Sequence, residues 1–148
     1  MAVWAKQLLH NDLLICAVLA LIIAQIFKLL IYSISNKKLD LQWLLGSGGM
    51  PSSHSAAFSA LVMASGLRYG FDSYQFALAA LPAAVVIYDA CGVRRATGEH
   101  AKLLNELQEI FKDDNLPEKK LKILIGHTPL QALAGITLGI ITAWLFRF

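Results

Sequence analysis

The chain has 148 residues, of which 57% are hydrophobic, 16% are charged and two are cysteines. Its mean hydropathy of +0.57 is too high for an ordinary soluble fold and indicates one integral membrane domain over residues 1–148. The net charge of +3 fits basic loops beside anionic headgroups, so we expect the membrane bilayer as a partner and no nucleic acid.

Four apolar segments predict an all-α bundle of about four transmembrane helices. Because a bilayer core of ~30 Å needs about 20 helical residues, we assign spans to residues 13–34, 54–67, 74–93 and 129–146. The second is short for a span, but its Ala and Ser content suits close packing between membrane helices. In the last polar loop, residues 99–112 have apolar side chains at helical spacing. They predict an amphipathic helix on the membrane surface or over the bundle.

Polar residues interrupt the first span near its end. Gln25 and Lys28 lie three residues apart and share one helix face. Lys28 either extends to the headgroups or faces a polar site inside the bundle.

A Gly-rich turn, GSGGMPSSH at residues 46–54, leads into the second span. Pro51 suits the start of a helix, Ser52 or Ser53 can cap it, and the free N–H groups there attract an anion. His54 would lie in the first turn beside such an anion. Taken alone, the same residues also fit a tight loop and a capped helix with no ligand.

Further polar residues flank the third and fourth spans. Asp89 lies inside the third apolar run, where a carboxylate needs a partner, and Arg94 and Arg95 follow it. The last span carries Gly135 and Gly139, a spacing that permits tight packing within the protein or between subunits of a homo-oligomer.

The loops after the first and third spans share one membrane face, because successive spans alternate in direction. Nine Lys and Arg residues fall on that face and three on the other, which predicts a multi-pass cell-membrane protein whose motif face is cytoplasmic. Six polar residues converge there: Lys28, His54, Asp89, Arg94, Arg95 and His127. Cations and helix N–H groups can hold phosphate oxygens while one histidine attacks phosphorus and the other protonates the leaving oxygen.

Five motifs occur along the chain: Ala24-Gln25-x-x-Lys28, Gly48-Gly49-Met50-Pro51-Ser52-Ser53-His54-Ser55-Ala56, Asp89-Ala90-x-Gly92-Val93-Arg94-Arg95-x-x-Gly98, Leu104-Asn105 and Gly126-His127-Thr128-Pro129. Together they resemble the divergent branch of the type 2 phosphatidic acid phosphatase superfamily, which is related to acid phosphatases and vanadium-dependent haloperoxidases. The resemblance covers about residues 10–145. It implies an α-helical membrane enzyme that hydrolyses a phosphomonoester through a phosphohistidine, with no metal and no other cofactor.

The resemblance also implies residue roles. His54 is the expected general acid, with Ser53 in the place of the glycine of the family's Pro-Ser-Gly-His motif. Asp89 either orients the nucleophile or pairs with an arginine. The expected phosphate ligands are Lys28, Ser52, Ser53, Arg94 and Arg95.

Two histidines are candidates for the nucleophile, and His127 is favoured over His100. Arg94-x5-His100 has the family's arginine-to-histidine spacing, but Leu104 stands where its aspartate follows. His127-x3-Gln131 has the histidine-to-acid spacing with an amide in place of the carboxylate. The Gly-His-Thr-Pro motif around His127 is the hallmark of the divergent branch.

The expected activity is hydrolysis of a lipid phosphate, such as phosphatidic acid, phosphatidylglycerol phosphate or a polyprenyl phosphate. A membrane-embedded site suits a substrate whose tail stays in lipid. The alternative is a transport or scaffold protein that binds phospholipid or phosphate without hydrolysis. A channel-like or purely structural subunit would leave the converging histidines and cations unexplained.

Overall fold

The computed structural model describes residues 3–38, 49–110, 121 and 126–146, and every regular element in these ranges is an α-helix. The predicted all-α membrane bundle is confirmed, and the bounds of its four apolar helices lie within two residues of the predicted ones. In chain order the helices are α1 (Val3–Leu9), α2 (Asp12–Asn36), α3 (Ser53–Tyr69), α4 (Tyr74–Cys91), α5 (Val93–Ile110) and α6 (Pro129–Phe146).

Within the described ranges, three segments are long and apolar enough to cross a membrane: α2, the run from Tyr74 to Ile110, and α6. The second predicted span, residues 54–67, corresponds to α3, which at 17 residues is shorter than these. Helices α2, α4 and α6 all contact α3. The shortest of the four is therefore the central helix of the bundle.

The helices alternate in direction, as the loop pattern predicts. At one end of the bundle, Arg68 in the last turn of α3 forms an ion pair with Asp12 at the start of α2. At the other end, the Ser52 N–H donates to the Gln131 carbonyl and the His127 N–H donates to the Ala90 carbonyl. Helices α2 and α4 therefore end at the membrane face where α3 and α6 begin, and the predicted motifs lie at that face.

Small side chains form the core. On α2, buried residues recur every four positions, which places them on one face of the helix. Small residues let helix backbones approach closely in a membrane, where dispersion contacts replace the hydrophobic effect as the driving force for packing. The core cluster consists of Cys16, Ala20, Ala24, Ala56, Ala60, Ala64 and Ala143.

The two glycines of α6 pack against α3 within the chain. A methyl group on Gly135 would overlap the carbonyl oxygen of Ser52, and one on Gly139 would overlap that of Ala56 and lie 2.8 Å from the nitrogen of Ala60. The Gly135/Gly139 face is therefore packed against α3 of the same chain, the first of the two arrangements that this spacing permits.

Helix α5 begins at Val93, six residues before the predicted start. Its first turn has no apolar periodicity, but it continues α4 after a single non-helical residue, Gly92 (φ −101°, ψ −85°), and the Ala96 N–H already donates to the Gly92 carbonyl at 2.9 Å. Among the described elements α5 contacts α4, and the leucines of its apolar face are exposed. It does not cover the described part of the bundle. Its predicted end at residue 112 lies outside the described residues, as do residues 46–48 of the Gly-rich turn.

Candidate functional site

The start of α3 is built around Ser52. Its backbone is extended, and its Oγ accepts a hydrogen bond from the Ser55 N–H at 3.3 Å and lies 3.0 Å from the Ser55 Oγ. Because its side chain accepts this N–H, Ser52 is the one of the two predicted caps that is used, and it is fully buried. Ser53 and His54 are the first two residues of the helix, and His54 is exposed. The N–H groups of Ser53 and His54 precede the first helical hydrogen bond, which the Ala56 N–H donates to the Ser52 carbonyl, so they have no acceptor within the helix and point toward the membrane face.

Lys28 faces the interior of the bundle. It is the last of the α2 residues that recur every four positions on the buried face of this helix, and it is only 3% exposed. Its side chain passes over Gly49, where an added methyl group would lie 3.2 Å from the Lys28 Cγ. Gly49 has φ +82°, so both its conformation and this close approach favour glycine.

The Gly126-His127 segment is attached to the junction of α4 and α5. A methyl group on Gly126 would overlap the backbone nitrogen and Cα of Arg95, which explains the need for glycine there. The His127 N–H donates to the Ala90 carbonyl at 3.0 Å. These two contacts hold His127, which is 8% exposed, against the end of α4.

Gln131 links His127 to the start of α6. Its Oε1 accepts the Thr128 N–H at 3.1 Å, while the Thr128 Oγ1 accepts the Gln131 N–H at 3.3 Å. This reciprocal pair is a capping box, with Pro129 at the first helical position. The same Oε1 lies 3.3 Å from Nδ1 of His127. The amide therefore occupies the position from which an acceptor orients the ring.

Three other charged groups act on His127. Burial is the largest cause that lowers its pKa, and the contact with Gln131 raises it; the positive charges of Lys28, His54 and Arg94 lower it further. Arg94 and Lys28 also act electrostatically on His54. Four residues from four separate segments are thus close enough for their charges to interact. The net effect keeps His127 neutral over a wider pH range.

Asp89 contacts Arg94. The Arg94 Nε donates to the Asp89 Oδ2 at 2.7 Å. Of the two alternatives for Asp89, this is the contact that the structure shows, whereas Nδ1 of His127 is near Gln131. The pair uses Nε of Arg94, and the two terminal nitrogens of the guanidinium carry four further N–H donors.

Arg95 and His100 lie elsewhere on α5. The Arg95 Nε donates to the Glu99 Oε1 at 3.2 Å along the exposed side of the helix. His100 is exposed on the same helix.

Two residues with a clear structural role were not among the predicted site residues. Gln131 has a signal in the sequence, because Thr128-x-x-Gln131 is the spacing of a capping box. Asn105 holds the chain after α5: its Nδ2 donates to the Leu121 carbonyl at 2.9 Å, and its Oδ1 accepts the Leu121 N–H at 2.8 Å. This partner is 16 residues away, too far for a local pattern to reveal it.

The fold and the site define a helical membrane protein that gathers two histidines, a buried lysine and an arginine at one end of its bundle. The chain belongs to the Divergent PAP2 family, whose sequence pattern matches residues 9–142. It is 40% identical over 156 aligned positions to the uncharacterized membrane protein YuiD of Bacillus subtilis (strain 168), covering 95% of this chain and 99% of that protein. No solved structure matches the chain significantly.

Proposed function

We propose that this protein hydrolyses a lipid phosphate monoester through a phosphohistidine on His127. The observation that supports it best is the surroundings of His127: a buried ring, an acceptor at Nδ1 and three positive groups whose charges reach it. Because Nδ1 faces Gln131, Nε2 is the ring nitrogen that is available to attack phosphorus. A lowered pKa keeps this nitrogen unprotonated, as a nucleophile requires.

The proposed reaction has two steps. Lys28, Arg94 and the N–H groups at the start of α3 hold the phosphate oxygens. Nε2 of His127 attacks phosphorus, the bond to the lipid oxygen breaks, and protonated His54 gives its proton to that oxygen. His54 then takes a proton from water, the water oxygen attacks the phosphohistidine, and phosphate leaves with His127 restored. Asp89 holds Arg94 in position, and Ser53 is a further donor to the anion.

A second function, binding of a phospholipid or phosphate without hydrolysis, is favoured by one observation. The acceptor at Nδ1 of His127 is a neutral amide, and a neutral acceptor stabilises a developing imidazolium less than a carboxylate does.

Release of inorganic phosphate by purified protein in lipid nanodiscs, with chelator present, distinguishes these functions. We expect release by wild type and His100→Gln, and loss of release in His127→Ala and His54→Ala. His10→Ala is the matched control, because His10 is an exposed histidine just before the start of α2, at the opposite end of this helix from Lys28 and the site. If the protein binds vanadate but releases no phosphate and acquires no phosphate label on a histidine, the binding function is favoured.

We also propose that the site faces the cytoplasm, on the charge distribution of the loops. Lys102→Cys on α5 and Lys6→Cys on α1 place exposed thiols at the two faces. A membrane-impermeant maleimide added to intact cells should label the second and not the first. The reverse pattern would place the site outside.

A further inference from the structure

An apolar groove runs down the bundle beneath the candidate site, between α3, α4 and α6. Its volume is about 340 Å³, within the range of small-molecule pockets. Ser59 is the one polar residue among the described side chains that line it, and Ala80 and Ala83 on α4 leave the space that larger side chains would fill. Ile140 and Phe71 on its rim are exposed, so the groove is open to the surrounding lipid.

The upper end of the groove lies close to the site. Ile87 of α4 lines it and precedes Ala90 by three residues, one helical turn, and the Ala90 carbonyl receives the His127 N–H. Ile87 and Ala90 share a face of α4 with buried Ala83. A molecule in the groove would therefore extend along α4 toward His127.

Two aromatic rings bound the other end. Phe71 and Phe76 meet edge to face with centroids 5.3 Å apart, and the Phe71 ring lies against Gly66, where a methyl group would come within 2.6 Å of the ring's Cδ1. From Phe76 to Ile87 the helix rises about 16 Å at 1.5 Å per residue.

The geometry points to a hydrocarbon-tail site: the groove holds one tail of the lipid whose phosphate lies among Lys28, Arg94 and His127. This inference rests on the proposed function for the position of the phosphate. A tail leaving bilayer for this groove gains little free energy of transfer, because lipid and groove are equally apolar. The groove therefore contributes to positioning rather than to affinity, because it aligns the ester bond of the lipid with His127. The Phe71/Phe76 pair limits the length of tail that fits.

Photo-crosslinking tests the groove without hydrolysis. His127→Ala protein in phosphatidylcholine nanodiscs is exposed to alkyl phosphates that carry a diazirine at mid-chain or at the chain end. We expect labelled peptides near Ile87 with the first and near Phe76 with the second. The corresponding alcohol, which lacks the phosphate, should label these positions at least about fivefold less. Equal labelling by the alcohol would mean occupation by bulk lipid and would overturn the inference.

Variants of the groove give the second readout. Ala83→Leu fills the middle of the groove. For a long-chain phosphate we expect about a tenfold loss of kcat/KM, because the reacting group is misplaced. For a short-chain phosphate we expect less than about a twofold change. Ala84→Leu adds the same bulk at the next, exposed position of α4 and is the matched control. Phe76→Ala should shift the preference toward longer tails, and acyl and isoprenoid phosphates of equal length distinguish the chain types.

The outcomes separate the two proposals. Groove labelling without phosphate release by wild type would contradict hydrolysis and leave the tail site standing. Phosphate release with unlabelled groove peptides, or with equal losses in Ala83→Leu and Ala84→Leu, would contradict the tail site alone.

Discussion

Gln131 offers the sharpest test of how His127 is held. Its Oε1 accepts the Thr128 N–H and lies 3.3 Å from Nδ1 of His127. Gln131→Leu removes both interactions. The cap by Thr128 remains, but the lost bond from the Thr128 N–H to the side chain of residue 131 destabilises α6 by about 1 kcal/mol. The lost acceptor lowers kcat by about tenfold or more, because the ring is no longer oriented.

Gln131→Glu keeps both acceptor positions and adds a negative charge. A charge-assisted hydrogen bond is about twice as strong as a neutral one, which adds about 1 kcal/mol of stabilisation to the imidazolium that develops as Nε2 attacks. That difference corresponds to about a fivefold rise in kcat. The effect is read in kcat, since the same charge repels the phosphate and raises KM. The carboxylate also favours protonated His127 and moves the acid limb of the pH profile to higher pH.

The assay is phosphate release in nanodiscs from pH 5 to 9, with kcat and KM determined separately. Gln75→Glu adds the same charge in the first turn of α4, at the other end of the bundle, and should leave the acid limb unmoved. Equal kcat for Gln131→Leu and Gln131→Glu, or the same acid limb in wild type and Gln131→Glu, would refute the assignment of Gln131 as the orienting group.

Three more predictions follow from the described contacts. Because burial lowers the pKa of His127, we expect the acid limb of kcat/KM, which reports the free protein, below pH 6.5, the ordinary value for histidine. The unfolded state then binds this proton first, so the free energy of unfolding falls as pH drops below 6.5, and it falls less in His127→Gln. Gly139→Ala puts a methyl group against the Ala56 carbonyl and should lower the free energy of unfolding by about 1–3 kcal/mol, measured by thermal or denaturant unfolding in detergent. Asn105→Ala removes both hydrogen bonds to Leu121 and should speed exchange of the Leu121 amide hydrogen about fivefold, for a loss of about 1 kcal/mol.

Matched variants control the last two predictions. Thr137→Ala changes an exposed position of α6, and a loss of stability equal to that of Gly139→Ala would contradict close packing as the cause. Glu106→Ala changes the residue next to Asn105, and equal exchange rates in the two variants would mean that Asn105 does not hold Leu121.

Hydropathy predicts most of the fold because a bilayer imposes a length on any helix that crosses it. Alternating helix directions then require residues as distant as Lys28 and His127 to meet at one face. Hydropathy does not predict the start of α5 at Val93. Residues 93–98 have no apolar stripe, and their helical state depends on continuation from α4 past Gly92.

The roles of adjacent residues could not be separated from the sequence. The sequence gives no reason to assign different roles to Arg94 and Arg95. Neighbouring side chains on a helix differ by about 100° in direction, so Arg94 pairs with Asp89 and Arg95 pairs with Glu99. Similarly, the spacing of Gly135 and Gly139 permits packing within a chain or between chains. Only the position of α3 distinguishes the two.

The central position of α3 has a consequence for how the protein enters the membrane. This helix is short, contains Ser53, Ser55, Ser59 and Ser65 in buried positions, and is surrounded by α2, α4 and α6. Taken alone in hydrocarbon, its hydroxyl groups would face lipid at a free-energy cost. Stable insertion of α3 therefore depends on helices made later in synthesis, and the Ser52 N–H receives its acceptor, the Gln131 carbonyl, only when α6 arrives.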